Sequence, residues 1–290
     1  MSANAVEIRG LEKKFPAFEL GPLDLTVPRG AIYGFVGPNG SGKTTTIDLI
    51  FGMGTKDAGT ITVLGLDHLR DEVAMKRQVA YVSPDLQFQP WGRIHKVVQF
   101  VRGFYPSWDE AYCGRLMRTL DLNPSDRIMT LSFGARIKLA LVLALSWRPK
   151  VLILDEPTVG LDAISRQAVF AELLAAVQDD ERTVLISSHG LDDVERFADH
   201  VGMIKNGRLL FEGATVDVIA RFRIVDVVAP EAVRFGARPG IVVQRQDGQR
   251  WRLLIDRQRA TLESLRALGV TLVAEAPVTL EELFVALGKA

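Results

Sequence analysis

The sequence predicts an α/β protein in two parts: a large domain over residues 1–222 with a helical subdomain inserted at about 92–147, and a small α+β unit over 223–290. Three observations carry this reading. Short β-branched runs alternate with helix-like segments through roughly the first two-thirds of the chain. Residues 92–147 show helical spacing and few strand signals. Beyond Phe222 the texture changes to short alternating strands separated by polar turns.

Each element follows from its local pattern. Ala31–Val36 (AIYGFV) reads as a strand that ends in a glycine-rich loop, with a helix opening near Gly42. Thr60–Leu64 and Val79–Val82 read as further strands, and apolar runs return at Val151–Leu154 and Thr183–Ser187 around a helix from about Ile164 to Val177. His200–Ile204 and Arg208–Phe211 flank Asn206-Gly207, the two-residue signal of a type I′ hairpin. In the last part, Val225–Ala229, Ile241–Arg245, Arg252–Ile255 and Val270–Ala274 read as strands, with a helix expected over Arg257–Leu268. Thr279 and Glu282 form the Thr-x-x-Glu pattern that starts a short terminal helix.

Bulk properties narrow the function classes. Lys plus Arg equals Asp plus Glu, so the formal charge is zero, and no nucleic-acid partner is expected. Cys113 stands alone and cannot close an internal disulfide, which fits a half-buried thiol in a reducing compartment. The N-terminus has no signal-type apolar stretch, and the run LALVLAL at 139–145 is too short to cross a bilayer. The expectation is a soluble, cytoplasmic chain that leaves any membrane spanning to another polypeptide.

Gly37–Thr44 reads GPNGSGKT and fits G-x-x-x-x-G-K-[ST] at every fixed position. Glycines let consecutive backbone N–H groups turn toward one anion, and the following helix adds about half an elementary positive charge at its start. Gly37, Asn39, Gly40, Ser41, Gly42, Lys43, Thr44 and Thr45 are therefore the candidate phosphate-binding residues. Lys43 can reach the β and γ phosphates, and the Thr44 hydroxyl can ligate Mg²⁺. A second site stands at the end of Val151–Leu154, where an apolar strand runs into Asp155-Glu156-Pro157. Acids leaving a buried strand arrive at the sheet edge that holds phosphate. Asp155 suits the metal, and Glu156 is placed to orient or deprotonate a water.

With these motifs in this order, the sequence resembles the ATPase subunit of an ATP-binding cassette (ABC) transporter over about residues 5–222. The resemblance implies a P-loop NTPase core of ABC ATPase type, with ATP and Mg²⁺ as ligands. It places Phe15 where the family stacks an aromatic ring on adenine, although a core role for Phe15 fits the sequence nearly as well. It makes His189 a switch histidine at the γ-phosphate and Gly160-Leu161-Asp162 a loop that crosses a dimer interface. The stretch Leu131-Ser-Phe-Gly134 resembles a degenerate Leu-Ser-Gly-Gly-Gln signature, in which Ser132 and Gly134 would cap ATP held by a second subunit. Phe133 and Ala135 depart from that pattern, and Ala135 forgoes one polar contact worth about 1 kcal/mol. After Val82 the family normally supplies a Gln. This chain has Ser83-Pro84-Asp85-Leu86-Gln87, which leaves Asp85 and Gln87 as alternatives.

The implied role is the ATP-hydrolysing subunit, peripheral on the cytoplasmic face of the cell membrane, of a transporter whose permease is separate. Two cassettes would pair, as a homo- or heterodimer. The degenerate signature resembles a branch linked to export. The aromatic-rich stretch Phe88–Trp108 would neighbour the permease. A non-transport ATPase of the same type, or a regulatory nucleotide-binding module with weak hydrolysis, is the alternative.

Overall fold

Three β-sheets and ten α-helices account for the computed structural model, which describes residues 3–86, 92–180, 182–236 and 238–289. Strands β1 (Asn4–Phe15), β2 (Phe18–Pro28) and β3 (Ile32–Val36) lead into helix α1 (Lys43–Ile50). Then come β4 (Ala58–Val63), β5 (Leu66–Asp67), α2 (Glu72–Lys76) and β6 (Val79–Val82). Helices α3 (Ile94–Arg102), α4 (Glu110–Thr119) and α5 (Phe133–Leu145) precede β7 (Val151–Asp155), α6 (Ala163–Asp180), β8 (Thr183–Ser188) and α7 (Leu191–Phe197). The hairpin β9 (His200–Lys205) and β10 (Arg208–Ala214) runs into α8 (Thr215–Arg221). The chain ends with β11 (Phe222–Val228), β12 (Ile241–Asp247), β13 (Arg250–Asp256), α9 (Leu262–Arg266), β14 (Thr271–Pro277) and α10 (Leu280–Lys289).

The central sheet has strand order β10-β9-β3-β8-β7-β6, parallel except for the β9–β10 hairpin. Every residue of β3, β7 and β8 is buried, as a parallel sheet covered on both faces requires. Alternate side chains enter different cores. Ile32, Val36, Leu152, Leu154, Val184 and Ile186 face the helices, while Tyr33, Phe35, Ile153 and Leu185 face α1 and the N-terminal sheet. That second sheet, ordered β2-β1-β4-β5, is antiparallel, and its long β1–β2 hairpin was not legible in the sequence pattern.

Register sets the site. Val36 pairs with Ser188, and Asp155 with Ser187, so the carboxyl ends of β3, β7 and β8 form one edge. The expected type I′ hairpin is present, with Asn206 at φ 48 and Gly207 at φ 75. The run 139–145 is wholly buried in α5, and among the described residues no helix is long and apolar enough to cross a membrane. In the expected partner-facing stretch, Phe88 and Trp91 lie outside the described residues. Phe104 is 65% exposed, whereas Tyr105 stacks on Trp147 at 4.3 Å.

The last part differs from expectation in one place. The helix expected over Arg257–Leu268 shortens to Leu262–Arg266. Asp256 accepts from the N–H of Gln258 at 3.0 Å and binds Arg221, which holds residues after β13 in a turn. Thr261, extended and hydrogen-bonded reciprocally with Ser264, then starts the helix. Helix α10 carries the expected capping box, Thr279 with Glu282, and its Leu280, Leu283 and Ala286 bury themselves in the core between the central sheet and its helices rather than in the C-terminal sheet's own core. Glu195 of α7 accepts from the N–H of Leu280 at 2.7 Å and fastens the start of α10.

Candidate active site

Three loops meet at the carboxyl edge of the central sheet, after β3, β7 and β8. The first, residues 37–42, bends through Gly40 at φ 76 and Gly42 at φ 108, conformations that a side chain would strain. A Cβ on Gly42 would also lie 2.9 Å from Leu20. Behind this loop the hairpin tip acts as a brace, with the N–H of Gly207 donating to the Ser41 carbonyl at 3.0 Å.

Lys43 opens α1 with its side chain only 6% exposed, and its ammonium donates to the Gly37 carbonyl at 2.8 Å. Burial lowers its pKa, against the opposing pull of Glu156 and Asp155. Glu156 Oε1 stands 3.7 Å from Lys43 Nζ, and Glu156 Oε2 lies 2.8 Å from Nδ1 of His189. Thr44 donates its hydroxyl proton to Asp155 at 2.8 Å. Lys43 and Thr44 at the start of α1, Asp155 and Glu156 at the end of β7, and His189 just after β8 thus form one linked set.

Ser187 holds this set together, and the sequence reading passed over it. Fully buried, its hydroxyl donates to Asp155 Oδ1 and accepts from the N–H of Glu156 at 3.0 Å. The bond to Glu156 matters because that residue sits at φ 47, a left-handed conformation costing a non-glycine residue about 1–3 kcal/mol. The available signal was the change from apolar to Ser-Ser at the end of a buried strand. Ser187→Ala is expected to lower the unfolding free energy by about 1–3 kcal/mol, since buried Asp155 keeps only its Thr44 donor and the N–H of Glu156 loses its acceptor. Urea denaturation would read this, and an unchanged midpoint would contradict it.

The other candidate residues lie outside that set. Ser132 caps α5, accepting from the N–H of Ala135 at 3.1 Å, and Phe133 lies over Gly160. Gly134 backs so closely on this neighbour that a Cβ would meet the Gly160 carbonyl at 2.6 Å. Asp162 caps α6 by accepting from both the N–H and hydroxyl of Ser165, and these bonds lower its pKa. Phe15 is 44% exposed and tilted against Phe18 at 6.3 Å, so it is not a core residue. Asn39 and Gly40 are exposed at the loop tip, and Thr45 is half-buried on α1. Pro84 and Asp85 occupy a turn closed by the N–H of Leu86 on the Ser83 carbonyl at 3.2 Å. Gln87 lies outside the described residues.

These residues fit a phosphate ligand and a hard cation. Ser41 Oγ is buried with no hydrogen-bond partner among the described residues, beside a loop of left-handed glycines. Thr44 and Asp155 offer the oxygen donors that Mg²⁺ prefers.

Known proteins resolve the family. The family model described as ABC transporter matches residues 20–159. "ABC transporter ATP-binding protein YtrB" of Bacillus subtilis is 30% identical, covering 97% of both chains. The chain belongs to the ABC transporter ATP-binding proteins. Another relative, "Nod factor export ATP-binding protein I" of Burkholderia lata, is 34% identical over 74% of this chain and 72% of its own. The solved "ATP binding subunit of ABC transporter" superposes with a TM-score of 0.67 at 26% identity, over 74% of this chain and 92% of that one. This ABC ATPase binds ATP, and its reaction is ATP hydrolysis.

Proposed function

We propose that this ABC ATPase powers a separate membrane permease from the cytoplasmic face, by closing two cassettes over shared ATP. The observation that carries the reading is the linked set of Lys43, Thr44, Asp155, Glu156 and His189 on one sheet edge. Lys43 would exchange its loop carbonyls for the β and γ phosphates, while the backbone from Gly37 to Gly42 surrounds them. Thr44 and Asp155 would hold Mg²⁺, which supplies positive charge beside the phosphates. Glu156 would take a proton from the attacking water, kept in place by Ser187 and by His189. His189 and Lys43 would balance charge developing on the γ-phosphate.

The exposed Phe15 would stack on adenine. Ser132 and Gly134 of one copy would cap ATP in the other, with Asp162 at the crossing; that Ser132 lies exposed at the start of α5 supports this. Residues 1–222 form the working cassette in this reading, and 223–290 an accessory unit whose α10 steadies α7 beyond His189. Export is the favoured direction, on the degenerate signature and the similarity to a relative named for Nod factor export. ATP turnover of the purified chain beside its Glu156→Gln form tests the catalytic part of this reading.

A further inference from the structure

Helix α10, from the C-terminal unit, touches two elements that carry the ATP site. Its first N–H, on Leu280, donates at 2.7 Å to the carboxylate of Glu195, which belongs to α7. An α-helix leaves its opening N–H groups without internal acceptors, and a carboxylate there also meets the positive end of the helix dipole. Thr279 takes the N–H of Glu282, so Glu195 adds to the cap from a different part of the chain. In the last turn the Leu287 carbonyl accepts from the ammonium of Lys205 at 3.5 Å. Lys205 ends β9, beside the hairpin tip whose Gly207 holds Ser41 of the phosphate loop. Between these attachments Leu280, Leu283 and Ala286 are buried in the same core as Leu191 and Val194 of α7.

Only Gly190 separates His189 from α7. Ser188 Oγ accepts from the N–H of Gly190 at 2.9 Å, so the link between them is a closed turn. Val194, next to Glu195, packs so closely on the central sheet that a Cβ on Gly34 of β3 would collide with it. A shift of α7 therefore passes to the imidazole instead of being absorbed in a loose linker. That imidazole in turn places Nδ1 2.8 Å from Glu156. From these contacts we infer that Glu195 is a positioning residue for ATP hydrolysis, through which α10 and the C-terminal unit set where His189 stands. The inference rests on His189 acting at the γ-phosphate. Glu195 lies about 6 Å along α7 from Leu191, at about 1.5 Å per residue, and so acts through the helix and not on the phosphates. The C-terminal unit thereby governs the rate of the cassette without supplying a group to its site.

The test is a double-mutant cycle on the full chain, read as kcat and KM for ATP in the presence of Mg²⁺. Glu195→Ala should lower kcat about three- to tenfold and leave KM within about twofold, because orientation changes and phosphate binding does not. In a His189→Ala background the same substitution should cost less than about twofold. Glu195→Gln keeps an acceptor at the same reach and should retain nearly native kcat. Glu195→Asp keeps the charge but withdraws it by a methylene, so its kcat should fall between native and alanine. It also carries the cycle should the alanine variant not fold. Amide hydrogen exchange over residues 189–197 should quicken in Glu195→Ala and stay native in α1. Native kcat in both Glu195→Ala and Glu195→Asp, or a loss that multiplies in full with that of His189→Ala, would overturn the inference and leave the histidine's role standing. Native turnover in His189→Ala would remove that role first, and the inference with it.

Discussion

Glu156→Gln is expected to cut ATP turnover by about 10²–10⁴-fold while leaving ATP affinity within a few-fold of native. Glutamine keeps the size of the side chain and can still accept from neighbours, but it cannot take a proton from water. Its surroundings argue for the base role. The carboxylate is 18% exposed, sits between Lys43 and His189, and leaves the backbone at a left-handed residue fixed by Ser187. A strained backbone at a strand end is retained where it aims a side chain. Turnover under saturating ATP, with affinity measured separately, gives the answer. Equal near-zero rates in both proteins, with tight ATP binding in each, would favour a regulatory binding module.

Lys43→Ala should produce the complementary result, losing binding while keeping the fold. Its ammonium would make charge-assisted bonds to two phosphates, each worth about 1.5–3 kcal/mol, so ATP affinity should fall by about 10²–10⁴-fold. The nucleotide-free protein should be little affected. Burial disfavours the charged form of Lys43, as its lowered pKa indicates, so truncation removes a desolvated charge along with its bonds to the Gly37 and Pro38 carbonyls. Thermal denaturation should show a nearly native midpoint without ATP and no upward shift when ATP is added. Undiminished affinity would contradict the assignment.

The central sheet and its phosphate loop were legible because both are written locally. All-apolar runs such as Val151–Leu154 describe a strand covered on both faces, and GPNGSGKT specifies its turn through its glycines. Asn206-Gly207 likewise determines its hairpin. What stayed hidden depends on partners distant in sequence. Ser187 reads as an ordinary strand residue until β8 pairs with β7 and sets its hydroxyl beside Asp155. Leu280 and Leu283 form an amphipathic pattern that does not say which core they enter, and they enter the cassette's. The shortened α9 is a local failure, since the Asp256 side chain competes with the helix for backbone N–H groups.

The central claim is that Ser132 of one copy closes over the phosphate loop of another, and disulfide trapping tests it most directly. Cys113 is buried, so single cysteines can be introduced at the exposed positions Asn39 and Ser132 in separate preparations. Both would also carry Glu156→Gln, so that hydrolysis does not reopen the pair. Mixed and mildly oxidised, the two proteins should form a cross-linked dimer with Mg-ATP and little without nucleotide, and neither alone should form this Asn39–Ser132 product. Efficient cross-linking in the absence of ATP, or none with ATP bound, would contradict the shared grip.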